Sequence, residues 1–332
     1  MNVVELQLGT VGLASVQDLG RPGLAHLGIA ENGAGDGWAA RVANVLASNA
    51  IGAPLIEILG SELTVTANSD LLISVTGAAS HVLVNGTVQP AWETLVVCAG
   101  YAITVPAPQH GLRSYLAVNG RLDVAPTLGS VAPDRLLGTG RTLQSDDTLR
   151  VGSRFTGLIH PYFGIPVFRF GAVVPPRRNP IVVETTRGPD THEFPELLES
   201  GLTAEYEVSP QSDAIGLRLL GPTPHRSTSA EILSRGVPIG AIEVPPAGGL
   251  LLLLRGRLVT AGYPVVGVAT LDSINQLGQA RPGDTVRFHQ IDTQHAMTDH
   301  RQRLGELDLL TARVHTALAA VGLGHILPRS NA

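Results

Sequence analysis

The sequence predicts a mainly β fold with few helices. Short runs of β-branched and aliphatic residues recur along most of the chain, and Gly, Asn, Asp or Pro closes nearly every one. Apolar residues make up 44% of the 332 residues and aromatic residues only 4%, so we expect an aliphatic core. A chain of this length is long enough to form two domains.

The first half of the chain carries six predicted strands. They follow one another closely and are separated by turn residues, a spacing typical of a barrel or a sandwich and not of alternating strand–helix units. The predicted strands cover residues 62–67, 71–77, 81–86, 94–100, 101–107 and 113–120.

A domain boundary is predicted at residues 171–180, where "GAVVPPRRNP" combines three prolines with two adjacent arginines. "SDDTLRVG" (145–152) and "PGDTVRFHQ" (282–290) close the two halves in a similar way, which indicates a faint repeat of two β units. We therefore divide the chain into an N-terminal β subdomain (1–170), a second β subdomain (171–290) and a helical tail (291–332). Strands of the second subdomain are predicted at 181–185, 202–209, 215–221, 240–246, 250–256 and 284–290.

Two amphipathic helices are predicted. One covers residues 36–49, where apolar residues recur at helical spacing, Asp36 stands at the N-cap and Gly52 follows the last turn. The other begins near residue 303, where Leu and Val recur from Leu304 to Leu318. This second helix either packs on its own domain or docks on a partner.

Composition excludes several classes of function. The net charge of −5 and the lack of a basic stripe with interleaved aromatic residues argue against nucleic-acid binding. The first ten residues do not resemble a signal peptide, and the longest apolar run, at 248–256, is too short to cross a bilayer, so no membrane association is expected. A single cysteine, Cys98, leaves no internal disulfide, and a cytoplasmic location is the default expectation.

All 23 basic residues are arginines, and the chain contains no lysine. A P-loop lysine, a Schiff-base lysine and a covalently attached biotin are therefore impossible in this chain. Any phosphate or carboxylate that it binds must be held by arginine, by backbone amides or by a partner protein.

The stretch "VQDLGRPGLAHLGIAENGAGDGWAARVANVL" (16–46) sets charged residues among many glycines and ends in the first predicted helix. The start of that helix is suited to receive an anion, although without lysine the segment is not a P-loop. Two interpretations stay open. The segment is either an ordered structural loop or a binding surface whose polar members are Asp18, Arg21 and Asp36.

A second polar cluster, "TTRGPDTHEF" (185–194), follows a predicted strand. Arg187 is suited to hold a carboxylate, while Asp190 and His192 are suited to transfer a proton. The alternative is a solvated loop with a helix cap. The spacing fits no familiar metal-ligand pattern, so no metal site is expected. A third segment, "VTAGYPVVGVA" (259–269), sets Thr260 and Tyr263 around a glycine, which indicates a close backbone approach.

Several blocks, in order along the chain, resemble one known family. The loop at 15–49 continues into "HGLRSYLAVNGRLDVAPTLGS" (110–130), "EILSRGVPIGAIEVP" (231–245), "TAGYP" (260–264) and "RPGDTVRF" (281–288). Together they are similar to the carboxyltransferase subdomain A and B family, formerly called allophanate hydrolase subunit 2. This family includes the C subunit of 5-oxoprolinase (KipA) and the matching half of the urea carboxylase carboxyltransferase domain. The resemblance covers about residues 10–290 and leaves out the tail.

The resemblance implies two β-barrel subdomains, the C-terminal one cyclophilin-like, without implying prolyl isomerase activity. It implies a component of an ATP-dependent 5-oxoprolinase, which opens the lactam of 5-oxo-L-proline to L-glutamate. The partners would be a KipI-like protein (allophanate hydrolase subunit 1 type) and a LamB/YcsF-like protein, and the ATP of the complex need not contact this chain. Activating an amide by phosphorylation needs cationic groups, which Arg113 or Arg187 could provide. The expected site residues are Arg187, Asp190 and His192 for catalysis, and Asp18, Arg21, Asp36, Arg113, Thr260 and Tyr263 for substrate binding.

The chain departs from the family pattern along one segment. Within residues 247–264, Gly256, Leu258 and Val259 stand where the family carries Asp, Gln and Thr. These changes replace hydrogen-bonding groups at the expected site. Two alternatives therefore remain beside an enzyme component: a non-enzymatic protein that binds a KipI-like inhibitor of a sensor kinase, and the carboxyltransferase half of a urea carboxylase or allophanate hydrolase system.

Overall fold

The computed structural model describes residues 2–160 and 162–328, and these form two compact units. The first unit is drawn from the residues up to Gly20, from Gly37–Pro175 and from Leu304 onward. The second unit is drawn from Arg21–Asp36 and Pro176–Arg303. The chain thus passes between the units more than once. Each unit is therefore built from separate stretches of sequence, unlike the consecutive subdomains that the sequence predicted.

The first unit contains twelve described strands in two sheets. Their order is β11-β12-β1-β4-β9-β6-β7 in a seven-stranded sheet and β2-β3-β10-β5-β8 in a five-stranded sheet. The strands are β1 (Asn2–Val11), β2 (Ala14–Gln17), β3 (Leu55–Leu59), β4 (Leu63–Ala67), β5 (Leu71–Gly77), β6 (His81–Val84), β7 (Thr87–Pro90), β8 (Thr94–Val97), β9 (Ala102–Val105), β10 (Arg113–Val118), β11 (Arg121–Leu122) and β12 (Thr148–Ser153).

Alternation of apolar and polar residues explains these strands. In β1, Val4, Leu6 and Leu8 are buried while their neighbours are exposed, as expected for a sheet with one face in the core. Helix α1 (Gly37–Leu46) packs on the five-stranded sheet, where the Thr76 and Thr94 hydroxyls donate hydrogen bonds to helix carbonyls. Hydroxyls that take up free carbonyls at such a contact hold the helix in register on the sheet.

The second unit is built around a closed barrel of seven strands, in the order β13-β20-β17-β18-β15-β14-β21. A two-stranded ribbon, β16-β19, accompanies it. The strands are β13 (Ile181–Arg187), β14 (Glu205–Val208), β15 (Gly216–Leu220), β16 (Arg235–Gly236), β17 (Ala241–Glu243), β18 (Leu250–Leu253), β19 (Thr260–Ala261), β20 (Val265–Ala269) and β21 (Thr285–Gln290). The remaining helices are α2 (Pro195–Ser200), α3 (Leu271–Leu277) and α4 (Thr293–Ala320).

Strand β13 closes the barrel. It pairs antiparallel with β20 and parallel with β21, with Ile181 opposite Val286. The barrel interior is aliphatic, and its fully buried members include Val183, Leu252 and Leu219. Helix α3, whose first turn is capped by the Thr270 hydroxyl, contacts β13. The barrel therefore has an apolar interior of its own, apart from the sheets of the first unit.

These observations confirm a mainly β fold with few helices, and the barrel of the second unit is closed as expected. The strands of the first unit assemble into two sheets, and a closed barrel is found among the described residues only in the second unit. Each predicted strand corresponds to an observed one. Nine observed strands were not among the predicted ones, namely β1, β2, β3, β7, β11, β12, β16, β19 and β20.

The predicted start of the tail helix was wrong by ten residues. Helix α4 begins at Thr293, because the Asp292 carboxylate accepts a hydrogen bond from the backbone N–H of His295, 2.7 Å away, and so caps the helix. Of the apolar series that predicted this helix, Leu307, Val314 and Leu318 are buried. Within the described residues, no helix has both the length and the apolar character that crossing a bilayer requires.

Two neighbouring leucines on β15 test the alternation in the barrel. Leu219 is 1% exposed in the barrel core, and Leu220 is 53% exposed. We expect Leu219→Ala to lower the free energy of unfolding by about 2–5 kcal/mol, because it leaves a cavity in an aliphatic core. Leu220→Ala, the matched control, should change it by no more than about 0.5 kcal/mol. Equal effects in urea denaturation would contradict the orientation of this strand.

Candidate functional site

The outer face of the barrel is itself partly buried beside the β16-β19 ribbon. Val237, Ala241, Leu253 and Val265 form an apolar cluster separate from the barrel core. Their neighbours along β17, β18 and β20 point into the barrel, so this cluster lies on the opposite side of the same strands. We call it the outer layer. It gives the barrel a second low-dielectric environment in which a charged group would be strongly perturbed.

Glu243 lies in this outer layer. Its cross-strand partners are Leu251 on β18 and Val265 on β20, both of which belong to or pack against the outer layer. Glu243 is 1% exposed, and its Oε1 has no hydrogen-bond partner among the described residues. Burial raises the pKa of Glu243 from 4.5 to about 7. A carboxyl group that takes up and releases a proton near neutral pH is suited to general acid–base chemistry.

Arg257 is the second buried ionisable group beside the outer layer. Its side chain is held by a 3.0 Å hydrogen bond from Nε to the carbonyl of Val237, a member of the outer layer. Arg257 is 5% exposed, and its buried Nη1 has no hydrogen-bond partner among the described residues. Burial lowers the pKa of Arg257, and the negative charge of Glu31 acts in the opposite direction. The guanidinium group stays charged at neutral pH.

The outer layer thus keeps one unsatisfied acceptor, on Glu243, and one unsatisfied donor, on Arg257. No ion pair joins these two side chains in the described part of the chain. Buried polar groups without partners are costly. A ligand that reached Glu243 would have to offer it a donor, and one that reached Arg257 would have to offer it an acceptor.

Asp190 fixes the border of this site. Its carboxylate accepts a hydrogen bond from the backbone N–H of Val265, 2.7 Å away, and its own N–H donates to the Val265 carbonyl. The same carboxylate forms an ion pair with Arg235 on the ribbon. Because Val265 is a cross-strand partner of Glu243, Asp190 holds the strand on which the position of Glu243 depends. Asp190 therefore positions the strand, and its carboxylate is already bound by the Val265 N–H and by Arg235.

The structure places the other two expected catalytic residues at the surface. Arg187 is exposed and donates to the carbonyl of Leu198, 2.8 Å away. His192 is exposed, with its Nδ1 3.0 Å from the Pro189 carbonyl. Neither contacts Glu243. Thr260 and Tyr263 are also exposed, and a Cβ on the intervening Gly262 would come within 3.1 Å of a backbone carbonyl, in keeping with the expected close approach.

The segment Arg21–Asp36 borders the Arg257 turn within the second unit. The backbone N–H of Asn32 donates to the Arg255 carbonyl, 3.1 Å away. Arg21 is 2% exposed and donates its backbone N–H to the carbonyl of Glu31. Asp36 accepts a 2.8 Å hydrogen bond from the side chain of Gln279. The glycine-rich loop therefore brings the charge of Glu31 toward Arg257.

Two expected substrate-binding residues belong to the first unit and make local contacts there. The Asp18 carboxylate accepts hydrogen bonds from the Ser130 hydroxyl and from the backbone of Val131 and Gly20. Arg113 Nε lies 3.6 Å from a Glu57 carboxylate oxygen. In the part of the chain that the structure describes, no three His, Cys, Asp or Glu side chains are grouped to hold a metal ion.

Sequence reasoning missed Glu243 and Arg257. The available signal was a single carboxylate inside the otherwise apolar strand "GAIEVPP", since a charged residue within a buried strand is uncommon. Arg257 lies in the segment that departs from the family pattern, so the resemblance did not mark it.

Fold and site define a mainly β protein whose second unit is a closed seven-stranded barrel. The chain belongs to the family described as carboxyltransferase domain, subdomain A and B, whose profile matches residues 27–290. It is 32% identical over 307 residues to the C subunit of the 5-oxoprolinase of Escherichia coli (strain K12), covering 91% of this chain and 96% of that protein. The match to the corresponding 5-oxoprolinase C subunit of Haemophilus influenzae is 28% identical and covers 89% of this chain and 94% of that protein.

Solved structures agree on the fold. The crystal structure of TTHA0988 is similar with a TM-score of 0.73 and 32% identity, covering 86% of this chain but only 55% of that one. The crystal structure of the Kluyveromyces lactis urea amidolyase has a TM-score of 0.79 at 22% identity and covers 92% of this chain and 20% of that one. At this low identity, the second likeness concerns the fold alone.

Glu243 makes the stability of the barrel depend on pH. Between about pH 4.5 and 7 the unfolded chain has released this proton while the folded chain keeps it, so the free energy of unfolding falls as the pH rises. Glu243→Gln imitates the protonated carboxyl. We expect it to match the parent at about pH 4 and to be up to about 3 kcal/mol more stable at about pH 8. Glu207→Gln, on an exposed position of β14, is the control, and a constant difference for Glu243→Gln at both pH values would contradict the shift.

Asp190 and His192 lie in the same loop, but Asp190 is buried and hydrogen-bonded whereas His192 is exposed, so their variants should differ in stability. Asp190→Ala removes a buried acceptor and leaves the Val265 N–H and Arg235 without their partner, so we expect a loss of about 2 kcal/mol in the free energy of unfolding. His192→Ala should change it by less than about 0.5 kcal/mol. Denaturant titration of both variants measures this, and a neutral Asp190→Ala would show that the loop is not held by that carboxylate.

Proposed function

We propose that this chain is the C-type component of an ATP-dependent 5-oxoprolinase, working with a KipI-like partner and a LamB/YcsF-like partner. The observation that carries the proposal is the match to a 5-oxoprolinase C subunit over 91% of this chain and 96% of that protein. By contrast, the match to the urea amidolyase of Saccharomyces cerevisiae covers only 16% of that protein. Any enzymatic activity is proposed for the complex and not for the isolated chain.

The outer layer suits the chemistry of this reaction. Opening a lactam breaks an unreactive C–N bond. ATP would phosphorylate the amide oxygen and leave as ADP, water would add to the activated carbon as the C–N bond breaks, and hydrolysis of the resulting acyl phosphate would release phosphate. The ring nitrogen must receive a proton as it leaves, and the amide oxygen must be held by a cation or a donor. Glu243 holds a proton near neutral pH, and Arg257 keeps a buried donor without a partner. This complementarity supports Glu243 as the acid and Arg257 as the group that binds the oxygen.

The phosphate groups of ATP would not be bound by a lysine of this chain. The chain has no lysine, so a triphosphate would need arginine, backbone amides or a partner protein. The proposal therefore assigns to this chain the handling of the lactam, and to the complex as a whole the binding of ATP.

Reconstitution of the three-protein complex tests the proposal. We expect 5-oxoproline-dependent glutamate formation with the full complex and none when this chain is omitted. Glu243→Gln should lower kcat by about 100-fold or more, as expected for loss of a general acid, while Glu207→Gln leaves it unchanged. The pH profile should lose its limb near pH 7 in Glu243→Gln. An unchanged rate without this chain would overturn the proposal.

One observation favours a second candidate, a non-enzymatic protein that binds a KipI-like partner. Leu258 is an apolar side chain, 56% exposed, in the segment where the family carries polar residues. An exposed leucine suits a protein contact better than a polar substrate. Stable co-purification with the KipI-like partner, with no turnover in the complete complex, would support this candidate. The third candidate, carboxyl transfer to urea, would require a separate protein to carry biotin, because this chain has no lysine to carry it.

A further inference from the structure

The first unit contains a cavity that the proposed function does not use. It has a volume of about 440 Å³, within the range of small-molecule sites. Its walls come from the loop after α1, the turn between β10 and β11, strand β12 and the end of the described chain. Six lining residues carry the argument: Asn49, Asn119, Arg121, Arg154, Ile326 and Pro328.

The back wall of the cavity is rigid. The Asn119 side-chain amide donates to the Ala47 and Ser48 carbonyls, and the Asn49 side-chain amide donates to the Val118 carbonyl. Gly120 allows this close packing, because its φ is +118° and a Cβ there would lie 2.5 Å from the Gly152 carbonyl oxygen. Buried amides that are satisfied by the backbone fix both segments. The wall is formed before any ligand arrives.

The segment from Ile326 to Pro328 supplies another wall. Arg154 donates from Nη2 to the Leu327 carbonyl at 2.6 Å and to the Ile326 carbonyl at 3.3 Å. These bonds hold Ile326 and Pro328 against the cavity, although both lie beyond the residues that match the family profile. Only one nitrogen of the Arg154 guanidinium group is used in this way, so the group keeps donors for a ligand.

The charge of the cavity is positive. Arg121 and Arg154 line it, and neither forms an ion pair with a described residue. The one carboxylate in the lining, Asp18, already accepts hydrogen bonds from Ser130, Val131 and Gly20. The lining therefore carries two positive charges and one negative charge, and the carboxylate already has its hydrogen-bond donors. A bound anion would neutralise the remaining positive charge.

The rest of the lining is mostly apolar, with alanine, valine and proline side chains such as Ala53, Val124 and Pro126. A fully hydrated anion such as phosphate gains nothing from these walls. A carboxylate attached to a compact hydrocarbon body would use both features. We propose that this cavity is a binding site for a small organic carboxylate, with Arg121 and Arg154 holding the carboxylate and the apolar walls holding its body.

Calorimetric titration of the full chain with cyclohexanecarboxylate tests the site. For a ligand of this size in a preformed cavity we expect a Kd of about 1 mM. Cyclohexylmethanol, which has the same body without the charge, and inorganic phosphate, which has the charge without the body, should each bind at least about tenfold more weakly. Equal binding of the alcohol would show a merely apolar pocket, and equal binding of phosphate would show a plain anion site. Either result would overturn the proposal.

Variants locate the binding. Arg121→Gln and Arg154→Gln should each weaken cyclohexanecarboxylate binding by about tenfold. Arg150→Gln is the matched control, since Arg150 lies on β12, pairs with Glu5 and does not line the cavity, and it should leave Kd unchanged. If Arg154→Gln disturbs folding, Arg121→Gln decides alone, because Arg121 is exposed and holds no other segment. Unaltered binding in Arg121→Gln would overturn the proposal. None of these measurements depends on 5-oxoproline turnover.

Discussion

Closure of the second unit by strand β13 is the constraint on which its site depends. The parallel contact between the first and last strands of the barrel joins segments about 100 residues apart, so it carries a loop-closure cost that the other strand pairings of the barrel help to offset. The same strand pairs with β20 on its other edge, so the loop that follows it is delivered to Val265. The position of Asp190 is then set by its hydrogen bonds with the backbone of Val265. The position of Glu243 opposite Val265 follows from the pairing of β17 with β20, and Asp190 holds the Val265 side of that pair.

A carboxyl group without a partner is costly in such a layer. The shift in the pKa of Glu243 corresponds to about 3 kcal/mol at neutral pH, a sizeable share of the roughly 5–15 kcal/mol by which domains of this kind are stable. Glutamine has nearly the same shape and would avoid most of this cost. A glutamate at this place therefore costs stability, which supports the proposal that a titrating group acts here.

The sequence predicted the strands well because their signal is local. Alternation and turn residues located every barrel strand except β20, and burial follows the alternation in β14 and β15. The start of α4 was missed because Asp292 caps a first turn that is polar, where apolar periodicity gives no signal. Glu243 was missed for a different reason. Its significance comes from the burial of the outer face of the barrel, which depends on how the ribbon Arg235–Gly236 and Thr260–Ala261 packs and not on any property of β17 itself.

Because the chain has no lysine, both proposed sites use arginine as their positive group. A buried lysine can lose its proton, so that a lysine near Glu243 would be a second titrating group with a variable charge. A guanidinium group keeps its charge even where burial lowers its pKa, as at Arg257. The outer layer then combines one fixed positive charge with one carboxyl group that switches near neutral pH. In the first unit, one nitrogen of the Arg154 guanidinium group donates to two backbone carbonyls. Its remaining donors are left for a ligand in the cavity that Arg154 lines. An ammonium group has three donors at a single point and cannot divide its bonds between a structural contact and a ligand across such a span.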